Sequence, residues 1–432
     1  MERQGLAALL AFLCCAGAGA AEPAKNLGVV SCASSLCHGS VSPWKDSNIL
    51  QNEYVTWSRV DKHATKAYHV LLTERSQRIV RNLGLRTAAQ ETKVCLDCHA
   101  CNPPPALRGE RFKVADGVGC EACHGASENW IASHTAPEAT HADNVAKGLY
   151  PLSDPVAQAR LCLSCHFGDR NRFVTHRMMG AGHPRMSFEL DTFSQTQPPH
   201  FVIDDDWRRR KGSWDEVRVW AVGQALAAQE LLDVLLDEKR NRDGLFPELV
   251  VFDCHACHHP MSDKRWTPAT GTSPGRIRLN DSNLLMVRQI AHRTLPAPQA
   301  DAFDTTMTGL HRAVAGDGGD PIASVTRMRA MLAELVKAIA ARDFDTADVR
   351  AIAASLVREA ADGRYRDYAG AEQATMAISS VMNWLARHGG LANVRDANAA
   401  LDRVYESVRN DERYRPERFR EAMAALAQTL GS

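Results

Sequence analysis

The sequence has no surplus of either charge: Lys+Arg and Asp+Glu both number 51 in 432 residues. A balanced chain has no net field to gather a polyanion, which argues against nucleic-acid binding. No stretch alternates apolar and polar residues for any length, so no sheet is expected. Low-complexity tracts are absent, and nothing repeats beyond the short motifs described below. After Ala21 no segment reads as apolar enough to span a bilayer. The one leading apolar run, Leu6 to Cys15, is too short to span. It follows Met1-Glu-Arg-Gln and precedes the small residues Ala16 to Ala21. That order predicts a signal peptide over residues 1–21, cut near Ala20, and hence export to the periplasm or a comparable compartment. Cys14 and Cys15 would leave with it.

What the sequence does have is cysteine and histidine, 13 and 17 residues respectively. Four segments read Cys-x-x-Cys-His: Cys95, Cys98 and His99; Cys120, Cys123 and His124; Cys162, Cys165 and His166; Cys254, Cys257 and His258. A fifth, Cys32-Ala-Ser-Ser-Leu-Cys37-His38, has four residues in the gap. This is the attachment signature of haem c: two thioethers to the porphyrin and a histidine ligand on one face of the iron. Structural zinc is the alternative reading of Cys-x-x-Cys, and it leaves unexplained a histidine directly after every second cysteine. About five haem c groups are therefore expected. Export would ordinarily imply disulfides. Here ten cysteines go to haem and two to the signal, which leaves Cys101 as an unpaired thiol.

Five histidines are thus proximal ligands, and the others are candidates for the opposite face. His63, His134, His183, His176 and His292 are the candidate distal ligands, with His200, after Pro198-Pro199, a further one. His63 and His69 are six residues apart, on different faces of a helix, so they cannot serve one iron. Gly182 gives His183 a close approach to a porphyrin. Met178 and Met179 read as packing rather than ligands. His255 and His259 flank the last motif. His311 and His388 read as structural.

The fold class expected is mainly α with much irregular structure: a multihaem cytochrome c domain followed by a helical bundle. Residues 22–211 form the first part and carry four haem sites, with a helix candidate from Tyr54 to Leu83. Residues 212–432 form an all-helical part with the last haem site near its start. Ser213 to Lys239 predicts a long helix, with Ser213 as N-cap and Glu216 completing a capping box. A loop with Pro268, Gly271 and Pro274 follows the last motif. Helical stripes then recur at Val325, Met328, Leu332, Leu335 and Ile339, and at Ala374, Ile378, Val381 and Leu385.

Three features resemble the c554-type multihaem cytochromes. They are Leu36-Cys-His-Gly39 followed by Trp57 and the Ser58 to Ala64 segment; Gly119-Cys-Glu-Ala-Cys-His-Gly125 with a histidine ten residues on; and Gly182-His-Pro184. The resemblance covers about residues 30–200 and leaves the helical tail unmatched. It implies haems in close-packed pairs, mostly bis-histidine, with His63 and His134 as sixth ligands, passing electrons between redox partner proteins in the periplasm. The expected function is therefore an exported electron carrier. The alternative is a multihaem oxidoreductase with one open-faced haem acting on a small nitrogen or sulfur compound. The lysine-for-histidine motif variant of such enzymes is absent. No membrane span is expected after signal cleavage, and the tail offers a possible docking surface.

Overall fold

The computed structural model describes residues 23–45, 47, 49–242, 247–259, 273 and 275–430. The expected signal peptide, with Cys14 and Cys15, and the loop residues Pro268, Gly271 and Pro274 lie outside the described residues. The protein is mainly α, with 18 helices and no strand among the described residues.

The first part is a string of short helices: α1 (Glu53–Val60), α2 (Lys62–Thr65), α3 (Glu74–Asn82), α4 (Lys93–His99), α5 (Cys120–His124), α6 (His141–Ala146), α7 (Pro155–His166), α8 (His176–Gly180), α9 (Leu190–Thr196) and α10 (Asp205–Lys211). The single helix expected from Tyr54 to Leu83 is broken, for identifiable reasons. Asp61 is extended, with ψ 130°, and its side chain restarts the chain by accepting the His63 N–H. Thr73 is extended too and caps α3 through the Ser76 N–H. Side chains of this kind compete with the helical backbone and end it. The core here is small: Leu71, Val80, Ala89, Leu96 and Ala100.

The second part is a bundle of longer helices: α11 (Glu216–Leu236), α12 (Ser282–Thr294), α13 (Ala297–Val314), α14 (Pro321–Ala340), α15 (Thr346–Ala361), α16 (Tyr368–Arg387), α17 (Val394–Ser407) and α18 (Pro416–Leu430). Helix α11 is its axis, packing on α7, α9, α12, α14 and α16. Its two apolar stripes merge into burial on all sides; Val217, Trp220, Ala221, Ala225 and Leu232 are fully buried. Contrary to the expectation that no segment after Ala21 is apolar enough to span a bilayer, it is long and apolar enough to do so, but 83% of that stretch is buried inside the protein, as in the central helix of a bundle. Its N-cap is Asp215, whose carboxylate accepts the Val217 and Arg218 N–H groups. Ser213, expected in that role, lies two residues too early and instead accepts from the Arg218 guanidinium at 2.7 Å through its carbonyl. Both stripes expected in the tail are buried in one continuous core, which reaches back to Ala159 and Leu163 of α7. The helix bearing the fourth motif is therefore anchored on the bundle.

Helix α9 carries a buried acid pair at this junction. Glu189 accepts the Asp191 N–H at 2.9 Å and the Thr192 N–H at 2.7 Å, and both acids are 2% exposed. Burial above all, then the Glu189 carboxylate, pushes the Asp191 carboxyl up to about 7. A carboxyl raised by folding holds its proton more tightly folded than unfolded. Its stabilisation is present below the unfolded value and is lost as pH rises toward 7. Asp191→Asn is accordingly expected to raise the melting temperature at pH 8 and leave it nearly unchanged at pH 4. A series of thermal melts across that range checks the sign.

Candidate haem-binding site

In three motifs the two cysteines and the histidine share the end of one helix. His99, His124 and His166 are the last residues of α4, α5 and α7. In the wide-gap motif the extra residues fold into a turn, with the Cys37 N–H on the Ser34 carbonyl and the His38 N–H on the Cys32 carbonyl. This returns His38 to the side of its cysteines. At the last motif a single 3-10 turn, Cys254–Ala256, does the same work. No described cysteine forms a disulfide.

Each motif histidine has a second histidine ring facing it. Ring centres are 6.3 Å apart for His38 and His134, 6.4 Å for His99 and His183, 6.5 Å for His124 and His200, 6.1 Å for His166 and His63, and 6.2 Å for His258 and His176. Other ring pairs, such as Tyr68 and His69 at 6.5 Å, reach the same separation by packing alone, so the telling feature is that a second histidine recurs opposite every motif. A first-row metal holds an imidazole nitrogen at about 2.0–2.1 Å, and a ring centre lies about 1 Å behind its nitrogen. One metal between two opposed rings therefore sets their centres about 6 Å apart. The angles between ring planes vary from 15° to 89°, as rotation about a shared nitrogen–metal axis allows.

The outer nitrogens support this reading. The Nδ1–H groups of His99, His134 and His183 donate to the carbonyls of Ala67 (2.8 Å), Ile131 (2.5 Å) and Pro184 (2.8 Å). His38 and His63 donate from Nδ1 to the carboxylates of Glu53 (2.8 Å) and Asp61 (3.0 Å). Such bonds fix the tautomer and leave Nε2 as the unprotonated, metal-binding nitrogen. His292 and His311 do the reverse: Nε2 is spent on Asp304 and Asp281 respectively. His292, expected as a distal ligand, sits 42% exposed on that ion pair, apart from the five motif histidines. The ring that faces the third motif is instead His200, whose only sequence signal is the stiff Pro198-Pro199 lead-in.

Burial also favours the neutral form of His99, His124, His134, His166 and His183, the form that ligation requires, whereas the Glu53 carboxylate raises the pKa of His38. Burial lowers the pKa of His124 and of His166 to about 4. His200, His38 and His134 add to the effect on His124, and His63 and His99 to that on His166. The same neighbours reveal how the sites group. The Cys32 thiol meets that of Cys120, and Cys98 meets Cys165. The first motif is thus adjacent to the third, and the second to the fourth.

Glycine makes this crowding possible at two points. Gly117 has φ +76°, and a Cβ there would stand 2.7 Å from the His63 carbonyl. Gly125, with φ +79° directly after His124, would meet the Gly148 carbonyl at 2.6 Å. Within the third motif Glu121 has a different task. Its carboxylate is buried and accepts the Leu27, Gly28 and Ser127 N–H groups and the Ser127 hydroxyl. It thereby ties the N-terminal segment to the motif helix.

Zinc would need four protein ligands at each site. Among the described residues no three His, Cys, Asp or Glu gather as a metal cage. Two facing imidazoles with a cysteine pair beside one of them fit a haem iron, whose other four ligands come from the porphyrin. The motifs and their facing histidines support a c-type cytochrome, an electron carrier with covalently bound haem. More particularly, residues 31–125 match the family model described as cytochrome c554 and c-prime, the family that the motifs resemble. No curated protein and no solved structure matches the chain.

Proposed function

We propose that the protein is an exported electron carrier with five covalently bound haems, each iron held between two histidines. His38 pairs with His134, His99 with His183, His124 with His200, His166 with His63, and His258 with His176. The observation that carries this reading is the recurrence of one ring separation, 6.1–6.5 Å, at all five motifs. Iron in haem supplies one-electron chemistry. The chain's own residues set the ligand field and leave no coordination position for a substrate, which favours a carrier over a reductase. The cysteine contacts between first and third motifs, and between second and fourth, support two close haem pairs, with the fifth haem at the bundle.

Mass spectrometry of the mature protein, made in a host equipped for cytochrome maturation, is expected to give five haem masses and cleavage near Ala20. The oxidised spectrum is expected to be low-spin throughout and unchanged by carbon monoxide after reduction. Fewer haems, or a high-spin component, would remove the reading.

A further inference from the structure

Two of the five histidine pairs differ from the rest in what stands behind them. His38 and His63 each give their Nδ1–H to a carboxylate, Glu53 and Asp61, whereas His99, His134 and His183 give theirs to neutral carbonyls. Neither carboxylate is loosely placed. Asp61 is 4% exposed; its Oδ1 also accepts the His63 N–H, and its Oδ2 accepts from Gln197 Nε2 at 3.0 Å. Glu53 uses its second oxygen to accept the Gln51 N–H. A carboxylate in this position draws the proton away from the ring, makes the imidazole a stronger donor and so favours the ferric over the ferrous iron. The two are also distributed one to each close pair. His38 belongs to the first-and-third pair, and His63, through His166, to the second-and-fourth.

We propose that Glu53 and Asp61 are positioning residues that set reduction potential, making one member of each close haem pair the harder to reduce. An electron entering either pair then settles on the iron without the carboxylate, between His124 and His200 or between His99 and His183. Each transfer moves one electron from an external donor to one iron, ferric to ferrous, with no bond made or broken. The proposal rests on the bis-histidine reading. A wild-type spectrum that is not low-spin would defeat that reading, independently of anything the variants do.

The test is a spectroelectrochemical redox titration of the holoprotein and of Glu53→Gln, Asp61→Asn and the exposed control Glu74→Gln. The amides keep an acceptor at the ring but remove the charge, and asparagine retains the cap on α2. In each of the first two variants one haem, a different one, is expected to gain about tenfold in its equilibrium constant for reduction. For one electron that is about 59 mV. The low-spin resonance signals of that iron alone are expected to change, and the control is expected to match wild type. Should Glu53→Gln fail to mature with five haems, Asp61→Asn carries the test alone. Unshifted potentials, or a shift equal to that of the control, would overturn the proposal.

Discussion

His63→Ala is expected to convert one haem of five to a high-spin, five-coordinate form that binds carbon monoxide, while all five remain covalently attached. The reason is a division of labour between chain segments. Cys162, Cys165 and His166 lie together at the end of α7, anchored on the bundle core through Ala159 and Leu163. The opposing ring of His63 comes from α2 and is held by Asp61, through its backbone and ring nitrogens. Removing the ring leaves the attachment untouched and vacates one coordination position. His200→Ala is expected to do the same at the iron of His124. His292→Ala is expected to change no iron, because its ring is committed to Asp304 at 3.1 Å. Carbon monoxide difference spectra of the three reduced variants check the series. A five-coordinate haem in His292→Ala, or none in the other two, would break the assignment.

Glu121→Ala is expected to have the largest effect on stability of any single change near the haem sites. Its carboxylate receives the buried Gly28 N–H at 2.7 Å and the Ser127 N–H at 2.9 Å, together with the Leu27 N–H at 2.7 Å. Alanine strands those donors where neither water nor another acceptor replaces the carboxylate. The cost is on the order of 4 kcal/mol, from about 1–3 kcal/mol for each unsatisfied buried group. Glu121→Gln keeps an acceptor and is expected to lose less. Because Glu121 sits between Cys120 and Cys123, the loss should also loosen the segment from Lys25 to Gly28, read as faster amide exchange there. Denaturant unfolding of the two holoprotein variants beside wild type measures the difference.

Much of the site was legible before any fold was known, because haem attachment is local chemistry. Cys95 and Cys98 must stand one helical turn apart with His99 beneath them, and two intervening positions suffice to write that in sequence. The helical stripes of the tail were legible for the same reason: burial of one face imposes a fixed spacing on Val325, Met328, Leu332, Leu335 and Ile339. Harder to read were the places where one side chain overrules a pattern, such as Asp61 and Thr73 ending helices that the periodicity alone would continue.

The distal ligands are a different kind of information. His63 faces a motif that begins at Cys162, far along the chain, while His69 beside it is exposed. Apart from the Pro198-Pro199 lead-in, nothing local distinguishes His200 from His292. The separation rests on whether Asp304 or an opposing imidazole reaches the ring. The sequence by itself determined where the cysteine–histidine motifs stand and that the tail is helical, because both follow from neighbours within a turn or two. Only the tertiary structure decided which second histidine meets each first one and which carboxylates stand behind them. Both are contacts between distant segments, brought together by glycine at Gly117 and Gly125 and by the packing of α7 on α11.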